Sequence, residues 1–213
     1  MARKSAAAVR VPLSPERVLT AAVSVADAEG IDAVTLRRLA EVLGVHPTSI
    51  YNHVASKDAI LDGIVEQLVA EADLPEQVED WREWVRVFAY RMRDVARAHP
   101  GAYLVFTRRP AQGPVASQQT EAALDAFRRD GFSVVDARNA VIGVGLAVLG
   151  LALNECPPVG PTIAPDVTHL SRDRYPRILE AYDSAPADPD DLEQADAMWA
   201  YVVESLIRGF ERR

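Results

Sequence analysis

Thr48, Ser49, Tyr51, Asn52 and His53 crowd hydroxyl, amide and imidazole groups into a stretch that contains neither Asp nor Glu. Groups of this kind can donate to and accept from base edges, while Arg37, Arg38 and Lys57 close by supply the cations that phosphates require. Carboxylates on the same surface would repel a polyanion. The chemistry on offer is recognition of double-stranded DNA, because the parts of an enzyme are missing. The chain has no Gly-rich phosphate loop, no paired histidines at metal-ligand spacing and no nucleophile within an identifiable constellation. His99 and His169 stand isolated, and an isolated histidine is more often a cap or surface residue than a catalyst. Asp190, Asp191 and Glu193 sit at a helix start, where they favour the dipole. Cys156, the single cysteine, cannot form an internal disulfide and has none of the Cys/His spacing of a zinc site. No catalytic residue, metal or cofactor is expected, and a helical enzyme is the remote alternative.

Two short helices must position those side chains. Leu36, Leu39, Ala40 and Leu43 recur at helical spacing behind Thr35 as N-cap, and Gly44 ends that helix where a left-handed residue is needed. A second helix is predicted from Pro47 to Val54. Proline costs nothing in a first turn, and Ile50 and Val54 face inward. The residues listing outward are then the polar set named above. Small Ala40, Gly44 and apolar Ile50 are what two helices crossing at close range need, which is the helix-turn-helix pattern. An ordinary helical hairpin would share the apolar spacing but not the acid-free polar face.

Leu39-Ala40, Leu43-Gly44-Val45, Ile50-Tyr51-Asn52-His53-Val54 and Ser56-Lys57-Asp58-Ala59-Ile60-Leu61 resemble the DNA-binding domain of the TetR family of bacterial repressors, over about residues 15 to 72. That resemblance implies Arg37, Thr48, Ser49 and Asn52 near base edges, with Thr35, Tyr51, His53 and Lys57 near phosphates or the groove wall. Arg38 and Pro47 complete the DNA-binding set.

The net charge of −8 argues at first against a nucleic-acid partner. Up to residue 60, however, seven Lys/Arg face six Asp/Glu, and beyond it sixteen face twenty-five. The head is thus slightly basic and the body acidic, so DNA contact falls to a local patch of Arg37, Arg38, Lys57 and the arm residues Arg3, Lys4 and Arg10. Residues 1 to 14 lack the continuous apolar segment of a secretory signal and are expected to form a flexible arm. The longest apolar run, Ala140 to Leu153, falls short of the roughly 20 residues of a membrane span. No membrane partner is expected, and the cytoplasm is the natural compartment.

An all-α fold is predicted throughout. Ser14-Pro15 opens a first helix that Gly30 stops, and a fourth runs from Ser56 to about Ala72 as a connector. Leu74-Pro75 marks the boundary between a three-helix helix-turn-helix domain (15 to 73) and a helical effector-binding and dimerisation domain (74 to 213). In the latter, apolar positions from Trp81 to His99 keep a 3.6-residue period. Further helices are expected at 115 to 130, from Ser133 to Glu155, at 174 to 182, and from Asp190 to the end. Loops rich in proline separate the last three. The helix from Ser133 carries Gly143, Gly145, Ala147 and Gly150. Each glycine weakens a helix by roughly 1 kcal/mol relative to alanine, which close approach of another helix would offset. The last helix bears an apolar stripe through Trp199, Val203 and Leu206. Its cover is either its own subunit or a second copy.

Gly101-Ala102, Arg109-Pro110, Gly131-Phe132-Ser133 and Leu149-Gly150 also resemble the regulatory domain of the tetracycline repressors. The resemblance implies a homodimer with a four-helix bundle built from the helices near 134 to 155 and 190 to 211. Gly143, Ala147, Gly150, Trp199, Val203 and Leu206 would then be interface residues. It also implies an effector pocket in each subunit. The metal-chelating histidine of that group is replaced by Val105 and its neighbouring threonine by Arg108. Phe88 and Met92 stand for the ring-contacting asparagine and phenylalanine, Ala123 for a glutamine, and Asn154 for a glutamate. A valine cannot ligate a divalent cation, so the effector implied is small, largely apolar and bound without magnesium. Phe88, Met92, Val105, Phe106 and Phe127 would wall the pocket, with Arg108 or Asn154 orienting the ligand. Each of these taken singly is more often a core residue than a ligand contact, and a body that binds a protein partner in place of a small molecule stays open.

Overall fold

The computed structural model describes residues 12–156, 166–184 and 192–211. Among them there are nine α-helices and no strand. The arm residues Arg3, Lys4 and Arg10, most of the loop expected after Pro157, and Asp190 and Asp191 lie outside the described residues.

Helix ends follow the local chemistry. Ser14 accepts from the Arg17 amide to start α1 (Pro15–Glu29), and Gly30 at φ 88° stops it. A 3-10 turn (Ile31–Ala33) leads to α2 (Leu36–Leu43), capped by Thr35. Gly44 takes the left-handed conformation, φ 65° and ψ 35°, that any Cβ would strain. Its amide bonds back to Glu41 at 3.3 Å and that of Val45 to Ala40 at 3.0 Å, closing the carbonyl end of α2. α3 spans Pro47–Tyr51, shorter than the expected run to Val54. The amides of His53 and Val54 both bond Ile50 O, at 2.9 and 3.0 Å, so the chain makes one last turn and leaves the helix. That turn brings Val54 against the core before Ser56 caps α4 (Lys57–Glu71).

The body contains α5 (Trp81–Ala98), a 3-10 segment (Ala102–Thr107), α6 (Pro114–Arg129), α7 (Val134–Glu155), α8 (Pro176–Asp183) and α9 (Leu192–Glu211). Val18, Ala22, Val34, Leu39, Ile50, Ile60 and Ile64 close the head, and the buried residues of head and body form one continuous cluster. α5 is central to the body, touching α6, α7 and α9. Trp81 stacks on Phe127 at 5.1 Å and meets Phe132 and Phe210 edge-on. α7 has the expected extent, and by length and composition alone it could cross a membrane. It packs against α5, α6 and α9, and its last glutamate pairs with α5.

Candidate functional site

The two helices after Thr35 are held by contacts that leave α3 exposed. Leu39, Ala40 and Ile50 are buried, and Thr48, Tyr51 and Asn52, three and four residues apart, are exposed on one face. Pro47 is exposed beside them, and Ser49 and His53 are half-buried at its flank. The Thr35 hydroxyl is engaged as the cap of α2, accepting from the Arg38 amide at 3.1 Å. Lys57 opens α4 with its side chain in solvent.

The two arginines of α2 differ in what they can do. Arg37 is 88% exposed and, among the described residues, pairs with Glu41 at 3.1 Å, an i,i+4 pair of little strength. It is free to swing to DNA. Arg38 grips Glu29 at the end of α1 with Nε (2.9 Å) and Nη2 (2.7 Å), and reaches Glu41 at 3.3 Å. Its guanidinium thus joins α1 to α2, and a phosphate would share it with Glu29. Hydrogen bonds from Arg37 and Arg38 hold the Glu41 carboxyl below the usual carboxylate range. His46, passed over in the sequence, is the N-cap of α3. Its signal was position, directly before a helix-starting proline.

His99 is not isolated. Its Nδ1 lies 2.7 Å from Asp27 of α1 and its Nε2 3.0 Å from Glu71 of α4. Carboxylates only accept, so both ring nitrogens carry protons. Burial pushes the imidazole pKa down, but the bonds and charges of Asp27 and Glu71 outweigh it and raise it overall. The other Asp27 oxygen accepts from the Ala102 amide at 2.9 Å. A Cβ at Gly101 would lie 2.1 Å from Ala26 O, so only glycine permits this approach. Further along, Arg108 pairs with Asp32 and Arg109 takes Asp62 in a two-point grip at 2.7 and 2.8 Å. Glu66 of α4 accepts from the Val115 and Ala116 amides at 2.8 and 3.2 Å, capping α6. Residues 99 to 116 therefore fasten the body to α1, to the 3-10 turn after it and to α4 through Asp27, Asp32, Asp62, Glu66 and Glu71.

The residues expected to line an effector pocket separate into groups. Met92, Val105 and Phe127 are buried in the core, and Phe88 and Phe106 are half-buried against it. Arg108 is paired with Asp32 through both terminal nitrogens, so a ligand there would share it with that carboxylate. Asn154 is exposed, while its neighbour Glu155 turns inward to Arg93 at 2.7 Å and to Arg97. Burial alone would raise the Glu155 carboxyl, yet the two guanidinium groups hold it below its ordinary value. Two surface clefts, of 380 Å³ beside Val78 and Ala122 and of 330 Å³ beside Arg82 and Phe210, include none of the expected pocket residues. Among the described residues, three buried donors have no partner: Trp84 Nε1, Arg93 Nη2 and Trp199 Nε1. Trp84 stacks on Phe88 with centroids 5.0 Å apart, on the same stripe of α5 as Met92. Its signal in the sequence is a tryptophan, which carries an N–H donor, at an apolar-periodic position.

The bundle helices need re-phasing. Trp199 and Val203 are 0% and 1% exposed in the single chain, so they pack within their own subunit and are not interface contacts. Leu206 and Ala147 are half-buried. A Cβ at Gly143 or Gly150 would meet nothing within 4 Å, so among the described residues no other helix approaches them closely. The open apolar face is formed by Val135, Ile142 and Leu146 of α7 with Met198 and Tyr201 of α9.

A short helix with an exposed acid-free polar face, set across a second helix and followed by a long connector into a helical body, defines a helix-turn-helix regulator. Residues 18–64 match the family model of bacterial regulatory proteins of the tetR family. The class D tetracycline repressor of Escherichia coli is 31% identical over 207 residues, covering 93% of this chain and 89% of that protein. An HTH-type transcriptional regulator of Saccharopolyspora erythraea is 33% identical over 139 residues, 65% of this chain and 59% of that protein. The TetR family protein ActR of Streptomyces coelicolor, solved in complex with actinorhodin, shares the fold with a TM-score of 0.78 and 24% identity, covering 94% of this chain and 97% of that one. The chain belongs to the TetR family. It is a DNA-binding transcriptional regulator and not an enzyme.

Proposed function

We propose that the protein is a repressor acting in the cytoplasm as a homodimer. Each head (residues 15 to 73) lays α3 in the major groove of one half of a near-palindromic operator. The body (74 to 213) dimerises and binds a small, largely apolar effector without metal. The observation that carries the proposal is the pairing of an exposed polar α3 with an exposed apolar α7–α9 face on one continuous core. Half-sites a turn of DNA apart demand reading helices about 34 to 36 Å apart, and a two-fold dimer sets such a distance. Arg37, Thr48, Ser49 and Asn52 are assigned to base edges, and Thr35, Tyr51, His53 and Lys57 to phosphates or the groove wall.

The effector site is assigned to the α5 stripe of Phe88 and Met92, with Val105. Apolar walls favour an apolar ligand, and the unpartnered Trp84 N–H offers a donor to one carbonyl or hydroxyl oxygen. Val105 has no atom to give a metal. Effector entry would push on residues 99 to 116, whose clamps on Asp27, Asp32, Asp62, Glu66 and Glu71 carry the movement into α1, the 3-10 turn after it and α4. A thousandfold loss of operator affinity needs about 4 kcal/mol of coupling, and coupling is reciprocal. The test is a thermal-shift screen of hydrophobic metabolites and antibiotics, followed by calorimetry of a hit with and without saturating operator. A ligand at 100 times its dissociation constant stabilises by roughly 2.7 kcal/mol. Operator should weaken the hit by the factor by which the hit weakens operator. Unchanged ligand affinity on operator-bound protein would remove the mechanism.

A further inference from the structure

A threonine hydroxyl carries one proton, and that of Thr48 is already committed. Pro47 keeps the residue before it out of the helical region, and His46 sits at φ −75°, ψ 142°, from which its ring reaches forward over the start of α3. His46 Nδ1 lies 3.4 Å from Thr48 N, whose N–H can only donate. It lies 2.8 Å from Thr48 Oγ1. Nδ1 must therefore present its lone pair, which puts the ring proton on Nε2 and turns the Thr48 hydroxyl proton toward Nδ1. Thr48 Oγ1, on the exposed face of α3, is left with lone pairs alone.

We infer that His46 is a positioning residue that makes Thr48 an acceptor toward DNA, so that each α3 selects A or C over G or T at the base that Thr48 meets. In the major groove adenine N6 and cytosine N4 donate, whereas guanine O6 and N7 and thymine O4 accept. A free hydroxyl rotates to suit either kind of edge. One held by Nδ1 does not, and it is equally unsuited to a phosphate, which only accepts. The inference rests on α3 being the groove helix, as proposed above.

The test is selection of bound duplexes from a random library by the unaltered protein and by His46→Ala, His46→Asp, His46→Lys and Thr48→Val. The unaltered protein should enrich a motif with A or C at one position in each half-site. Thr48→Val should level that position by roughly two- to tenfold, the size of one neutral hydrogen bond, and leave the others. His46→Ala should do the same. His46→Asp, an acceptor and a good N-cap, should keep A or C at that position with weaker overall binding. His46→Lys, a donor only, frees the hydroxyl proton and should move the preference toward G or T. A Thr48-sensitive position that prefers G or T in the unaltered protein overturns the inference. So does a motif that Thr48→Val changes and His46→Ala does not, or one that neither changes. If the unaltered protein enriches no duplex motif, the assignment of α3 to the groove fails, and the inference fails with it.

Discussion

Replacing Leu146 with glutamate should dissociate the dimer without unfolding the subunit. Leu146 is 64% exposed in the single chain, so a charge there meets water while the chain is alone. In the proposed dimer it lies on the α7 face with Ile142, against its symmetry mate. Full burial of a leucine side chain contributes about 1.5 to 3 kcal/mol, so burying the exposed part contributes about 1 to 2 kcal/mol, using the same scale. Two-fold symmetry repeats the loss on the partner, giving about 2 to 4 kcal/mol per dimer. At 1.4 kcal/mol per tenfold, the dissociation constant rises about 30-fold to about 700-fold, before the cost of two facing carboxylates. Sedimentation equilibrium over a concentration series reads this directly, with helical circular dichroism as the check on folding. A variant that sediments as the unaltered dimer, at all concentrations, would place the interface elsewhere. A monomeric unaltered protein at micromolar concentration would remove the dimer altogether. Val203→Glu is the contrasting case: Val203 is buried in its own subunit, and that change should lower the melting temperature of the chain itself.

Asn52→Ala should alter preference between operator sequences, whereas Lys57→Ala should weaken all of them alike and flatten the salt dependence by about one unit of slope; equal loss across sequences for both would contradict the division between base and phosphate contacts. The His99 clamp should give a pH dependence of fixed sign. Its imidazole pKa is raised in the folded chain, so its contribution is complete below the ordinary value of 6.5 and is lost as pH rises through the higher folded value. The melting temperature should therefore fall from near pH 6.5 upward, and His99→Gln should lack that component. A melting profile identical for the two proteins would show that the clamp is not protonated. Effector binding should survive a chelator, and dependence on magnesium would remove the metal-free assignment.

Local chemistry was the legible part of the fold. Ser14, Thr35, Gly44 and Ser56 act within four residues of themselves, and each does in the structure what its type and neighbours imply. The end of α3 was less readable, because the inward turn of Val54 is set by the core it joins. The clamps were invisible for a related reason: His99 meets Asp27 across 72 residues, and no periodicity records such a pair. Phase failed on α7 and α9, where apolar residues occupy more than one face. Periodicity leaves the cover of Trp199 and Val203 open between their own subunit and a second copy; they are buried in the single chain, and their neighbours Met198 and Tyr201 are the exposed ones. The pairing of Arg38 was equally unreadable, because its partner Glu29 belongs to another helix.

The central claim is that two copies read one operator through paired α3 helices. Footprinting of a selected duplex, with the number of chains per duplex measured on the same complex, tests it most directly. Two protected half-sites with centres about 10 to 10.5 base pairs apart, or a multiple of that, and an even number of chains per duplex are predicted. A single protected patch occupied by one chain would contradict it.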